Sequence, residues 1–82
     1  MINLQFFARY RETLGRDAEQ LEWDPSLQTV DALRKQLLAR GNEWSVLAEK
    51  NLMCARNQEL CGLDEPIADG DEVAFFPTVT GG

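Results

Sequence analysis

Eighty-two residues carrying 14 acidic and 8 basic side chains, for a net charge of -6, suit one compact domain with a single core. A composition of 44% hydrophobic and 27% charged residues excludes a disordered chain, and the negative balance excludes nucleic acid and anionic membrane surfaces, which would be repelled. The lack of histidine excludes Ser-His and Cys-His nucleophiles and histidine metal sites, and two cysteines cannot build a four-cysteine zinc or iron–sulfur site within one chain.

The first residues alternate in polarity instead of forming a cationic leader, and no run approaches the roughly 20 apolar residues that span a bilayer. A cytoplasmic address is expected. Ile2, Leu4, Phe6 and Ala8 recur at every second position, as in a strand with one buried face. Residues 8–14 are rich in helix formers and are closed by Gly15, which predicts a short helical turn. Alternation resumes over 19–23 as a second strand and is broken at Pro25-Ser26. Thr29 then offers a capping hydroxyl with Asp31 in the first turn, and Val30, Leu33 and Leu37 fall at i, i+3 and i+7, so the main helix begins here. Gly41 is expected to end it in a left-handed cap. A smaller helical element follows over 43–50, with Trp44, Leu47 and Ala48 on its stripe.

Residues 52–56 and 59–63 read as a hairpin turning at Asn57-Gln58, because asparagine tolerates the positive φ of a tight turn. Asp64-Glu65-Pro66 and Asp69-Gly70-Asp71 are turn clusters, and 72–76, Glu-Val-Ala-Phe-Phe, is expected in the middle of the sheet. This order is an α+β pattern in which a mixed sheet packs on one main helix, a β-grasp-like fold over residues 1–77.

Beyond the last strand, Pro77, Thr78, Val79, Thr80, Gly81 and Gly82 have no partner positions and read as an extended tail over 78–82. From Pro77 it reaches roughly 20 Å, enough to enter a neighbour's active site. Two glycines lack Cβ atoms, so the Gly82 carboxylate can thread a narrow channel, and at roughly 7% glycine usage such a pair at one place has odds of about 1 in 200. The carboxylate of Gly82 is the candidate reactive group, and no metal or bound cofactor is expected.

Phe6-Phe7 and Phe75-Phe76 each put one aromatic on either side of a strand. With Phe6 and Phe75 facing the helix, Phe7 and Phe76, joined by Leu60, fall on the other side. Either loops or a small helix cover them or they form an apolar docking patch beside the root of the tail. Arg9, Arg11 and Arg16 either meet an acidic patch on a partner or solubilise the edge, and Arg11 completes the candidate docking set. Cys54 and Cys61 fall opposite one another across a two-residue turn, but core packing is expected over a disulfide, both alternating with Leu52 and Leu63 onto the buried face. Asp64, Glu65, Asp69, Asp71 and Glu72 lack calcium-loop spacing and read as turn formers and solvated surface.

The string Asp69-Gly70-Asp71-Glu72-Val73-Ala74-Phe75-Phe76-Pro77-Thr78-Val79-Thr80-Gly81-Gly82 resembles the end of the MoaD family, the sulfur-carrying small subunits of molybdopterin synthase. Looser likeness covers Phe6-Phe7-Ala8, Arg11-Glu12 before Gly15, Thr29-Val30 with Ala32-Leu33, and Asn57-Gln58. The resemblance implies a β-grasp fold and a cycle in which an E1-like adenylating enzyme consumes ATP to form an acyl-adenylate at Gly82. A sulfur donor protein then converts it to a thiocarboxylate, and the tail enters the large, catalytic subunit of a heterotetramer. There sulfur passes to cyclic pyranopterin monophosphate, and two such transfers complete the dithiolene. No side chain of the carrier need act. One departure is Pro77-Thr78 where many members have Pro-Pro, which leaves the tail less stiff. The rival readings are a carrier of the same fold serving thiazole synthesis or tRNA thiolation, and a β-grasp interaction module whose terminus is never activated.

Overall fold

The computed structural model describes residues 1–78. Strand β1 (Ile2–Phe6) buries Ile2, Leu4 and Phe6 and leaves Asn3 and Gln5 between them, as the two-residue period requires. The alternation stops there, one step before the expected Ala8, because Ala8 takes a left-handed φ of 55° and turns the chain into helix α1 (Ala8–Leu14). This is a full two-turn helix with Tyr10 and Leu14 buried at i and i+4, and Gly15 ends it at φ 70° with its N–H donated to the Arg11 carbonyl.

Strand β2 (Ala18–Leu21) lies earlier than the expected 19–23. Trp23 leaves the strand because its indole N–H donates to the Leu27 carbonyl at 3.1 Å, closing the loop in which Ser26 N–H donates to the Asp24 carboxylate at 2.8 Å. Helix α2 (Val30–Leu38) starts as expected: the Thr29 hydroxyl accepts from Ala32 N–H at 3.1 Å, and Val30, Leu33 and Leu37 are buried. Its end differs. The last turn closes on Ala39, and Gly41, whose φ of 75° is combined with a ψ of -171°, is no left-handed helix cap but the residue that precedes a 3-10 helix, Asn42–Ala48. At three residues per turn Trp44 and Leu47 eclipse and are both buried, while Ala48 rotates off the stripe into solvent.

Strands β3 (Met53–Arg56) and β4 (Glu59–Cys61) are shorter than expected but turn at Asn57-Gln58, with φ values of 50° and 71°, the positive pair of a two-residue hairpin. Strand β5 (Glu72–Phe76) completes a five-stranded mixed sheet ordered β2-β1-β5-β3-β4, parallel between β1 and β5 and antiparallel elsewhere. The predicted central strand is central. One face of the sheet, with Ile2, Leu4, Phe6, Cys54, Val73 and Phe75, packs with Val30, Leu33 and Leu37 of α2 and with Trp44 and Leu47 into a single core, the β-grasp arrangement. Among the described residues no helix is long and apolar enough to cross a membrane.

Two expectations about polar groups are corrected. Asp71 is not solvated surface: its carboxylate accepts from Arg56 Nε at 2.8 Å, Ala68 N–H at 2.8 Å and Asn57 Nδ2 at 3.1 Å, tying the 68–71 turn to the hairpin. Glu65 joins it through Arg56 Nη1 at 3.2 Å. Arg9 and Arg16 do more than solubilise an edge. Arg9 grips the Glu49 carboxylate with Nη2 at 2.6 and 2.7 Å, and Arg16 stacks on the Trp44 ring 5.3 Å from its centroid. Arg40 stacks on the same ring at 4.5 Å, and both guanidiniums converge on Glu19. Aromatic attraction for the cations thus shields the outer side of Trp44, whose inner edge meets Phe6 at 5.7 Å.

Candidate functional site

The site begins where β5 leaves the sheet. Strand β5 is paired with β1 over residues 72–75 and with β3 over residues 73–76, so its middle is held from both sides and its last residue, Phe76, by β3. Pro77 is buried and Thr78 is exposed, and the Thr78 hydroxyl donates to the Asn51 carbonyl. An open groove of about 400 Å³ lies at this root, lined by Arg9, Glu49, Lys50, Asn51 and Thr78. Its wall is braced from beneath: the Tyr10 hydroxyl donates to the Glu49 carboxylate at 2.5 Å, beside the Arg9 pair. Tyr10 first, then Arg9, hold the Glu49 carboxyl below its usual range. Burial and then the bond to Glu49 push the Tyr10 phenol well above its ordinary value. The candidate reactive group Gly82, with Val79, Thr80 and Gly81, lies outside the described residues.

Beside the root lies the sheet face that carries no helix. Phe7 is 46% exposed and Leu60 69% exposed, while Phe76 is half-buried with its ring edge-to-face on Phe7, centroids 6.4 Å apart. Ala74 and Ala55, paired in register between them, are small enough to leave the face shallow, and Met53, opposite Phe76, extends it. Of the two readings open from the sequence, cover by loops or a small helix and exposure as a patch, exposure holds for Phe7 and Leu60, while Phe76 is half-buried and Ala55 and Ala74 between them are buried. Arg11 sits on the exposed side of α1 and makes no ion pair among the described residues, unlike Arg9 and Arg16.

Cys54 is buried in the core and Cys61, half-buried, packs against it, both as free thiols, as expected. Burial pushes the Cys54 thiol up to about 12. Sequence reasoning missed Glu49, Tyr10 and Asn51 at the tail root, for they lie in different elements and meet only through the fold. Met53 was legible in principle, because the hairpin register that pairs 56 with 59 also aligns 53 with the open face.

Comparison with known proteins adds a lineage to this geometry. The chain is 47% identical over 83 residues to the molybdopterin synthase sulfur carrier subunit of Escherichia coli, covering 100% of both chains. It is equally identical, with the same coverage, to the subunit of that name from Haemophilus influenzae. Among solved structures, SAMP1 from Haloferax volcanii superposes with a TM-score of 0.80 at 26% identity, covering 99% of this chain and 98% of that one. The model of the ThiS family matches residues 4–82, and the chain belongs to that family.

Proposed function

We propose that this chain is the sulfur carrier subunit of a molybdopterin synthase and that its working group is the carboxylate of Gly82. The observation that carries the reading is the full-length identity of 47% to subunits of that name, in a sequence that ends in Gly81-Gly82 a few residues after the central strand. The chemistry explains why so little catalytic equipment is needed here. A carboxylate is a poor electrophile until an E1-like enzyme spends ATP to make it an acyl-adenylate, with AMP as a good leaving group. Sulfur from a donor protein then gives a thiocarboxylate, a soft nucleophile that passes its sulfur to cyclic pyranopterin monophosphate inside the large subunit. The carrier needs no cofactor of its own, and its compartment is the cytoplasm.

Phe7, Leu60 and Phe76, with Arg11 at the margin, are the docking surface in this reading. An exposed apolar patch next to the tail lets a partner grip the domain while the tail enters its active site. Thr78, where many members of the family have a second proline, donates its hydroxyl to the Asn51 carbonyl. The test is intact mass spectrometry after incubation with the cognate adenylating enzyme, ATP and a sulfur donor. One terminal oxygen is replaced by sulfur in the native chain, and none in a chain lacking Gly82 or carrying one residue after it. An unmodified native chain would overturn the carrier reading, and conversion of the extended chain would overturn the role of Gly82.

A further inference from the structure

We propose that Cys54 and Cys61 form a reversible dithiol site that exchanges with small disulfides and closes into a cross-strand disulfide, with Cys61 as the thiol of entry. Three independent observations converge on it. The first is register: the two residues are directly opposed across the antiparallel β3–β4 pair. Opposed residues of such a pair have Cα atoms about 4.5–5.5 Å apart, inside the roughly 4.4–6.8 Å window that a disulfide spans. The second is the sulfur geometry. The two Sγ atoms are 3.7 Å apart, already in contact, so closure to a bond of about 2.05 Å is a side-chain rotation rather than a movement of backbone.

The third is access from one side. Half-buried Cys61 lines an open groove of about 300 Å³ together with Arg56, Asn57, Glu59, Leu60 and Glu65, large enough to admit a small thiol compound. Cys54 lies behind it in the core, its Sγ–H donated to the Cys61 carbonyl at 3.2 Å. The pair therefore has an outer, half-buried thiol and an inner, buried one that meets an external reagent far more slowly than it meets its neighbour.

The exchange balances in two steps. The Cys61 thiolate attacks one sulfur of a small disulfide such as oxidised glutathione, forming a mixed disulfide and expelling one glutathione thiolate. Cys54 sulfur then attacks the Cys61 sulfur, forming the intramolecular bond and expelling the second. The two protein protons end on the two glutathione molecules, the cysteine pair is oxidised and the glutathione disulfide is reduced. Burial raises both thiols, which face Glu65 with Arg34 beside Cys54 and Arg56 beside Cys61, so exchange is slow at neutral pH and quickens in mildly alkaline buffer. Closure pins β4, the edge strand that carries Leu60, to β3.

The experiment uses the full reduced chain, incubated folded with excess oxidised glutathione at mildly alkaline pH, quenched in acid, alkylated and weighed intact. The native chain is expected to lose two hydrogens, to take up no alkylating group, and to regain both alkylatable thiols with dithiothreitol. Cys54→Ala is expected to stop at a single glutathionyl adduct on Cys61, and Cys61→Ala to acquire its adduct at least tenfold more slowly. The native time course serves if a variant fails to fold: a transient adduct on Cys61 preceding closure supports the entry order. A native chain that stops at the mixed disulfide, or keeps two alkylatable thiols, overturns the site. Equal adduct rates on the two cysteines overturn the assignment of Cys61. The chain is taken with Gly82 as its plain carboxylate, because a thiocarboxylate would itself exchange and be alkylated, so these outcomes stand apart from the carrier reading.

Discussion

Removing Leu60 and Phe7 from the open face measures what that face contributes to docking. Full burial of such a side chain is worth about 1.5–3 kcal/mol. With 69% of Leu60 and 46% of Phe7 left exposed by the fold, covering the remainder gives about 1–2 kcal/mol at Leu60 and about 1 kcal/mol at Phe7. Leu60→Ala is then expected to weaken binding to the large synthase subunit roughly tenfold, and Phe7→Ala roughly fivefold. The strand order puts three strand spacings, roughly 14 Å, between the two residues, so their effects add and the double variant loses roughly 50-fold. Stability is the control. Leu60 has little left to lose in the free domain and is expected to stay within about 0.5 kcal/mol of native, whereas Phe7 gives up its edge contact with Phe76 at up to about 1 kcal/mol. Titration calorimetry against the large subunit, with thermal melts of each variant, reads both quantities. A double variant that melts close to the native chain and binds within twofold of it refutes the docking face.

Leu33→Ala opens a cavity under α2 where the side chain is fully buried, and a loss of about 3–5 kcal/mol should appear as a fall of more than 10 °C in the thermal midpoint. Tyr10 is the only tyrosine, so the phenolate absorbance of the folded chain reports it alone and should rise well above the ordinary pH of about 10; Glu49→Gln, which removes the accepting carboxylate, should bring the transition back down without abolishing the part due to burial. Because the phenol is raised in the folded state, its contribution to stability is complete below the unfolded value and is lost as pH climbs through the folded one, which denaturant titrations in alkaline buffer should follow. Glu19, held low first by Arg40 and also by Arg16, and Asp31, held low by Arg34, have the opposite sign: their contribution is full above about pH 5 and fades below about pH 4, so midpoints measured at decreasing pH should be level and then fall. Arg40→Gln should flatten part of that fall.

The elements that could be read from sequence are those whose cause is local. The period of two in β1, the Thr29 cap, the stripe of Val30, Leu33 and Leu37, and the tolerance of Asn57 for positive φ each depend on neighbours within a turn or two of chain. Boundaries went astray where a distant partner intervened: Trp23 was drawn out of β2 by the Leu27 carbonyl, and Gly41 was used to begin one helix rather than to end another. The open face was legible because alternation decides which aromatic of each Phe-Phe pair turns away from the helix. The tail root was not, since Tyr10, Glu49 and Asn51 acquire a common purpose only when α1 and the loop before β3 are laid side by side. The acidic stretch misled for a related reason. A count of carboxylates says nothing about Arg56 reaching across from β3 to Asp71 and Glu65.

The parallel pairing of β1 with β5 has a practical consequence for handling the protein. In register, Asn3 lies beside Glu72 and Phe6 beside Phe75, and Gly70 N–H donates to the Met1 carbonyl. Both strands therefore point the same way, and Met1 sits at the end of the sheet remote from Thr78, about 25 Å away at roughly 3.3 Å per residue. An affinity tag or fluorescent fusion at Met1 disturbs only the exposed ion pair between the amino terminus and Asp69, whose energetic worth is small. Cargo attached there lies at the end of the sheet away from Thr78, so a label at Met1 leaves the surface around Thr78 and the open face unobstructed.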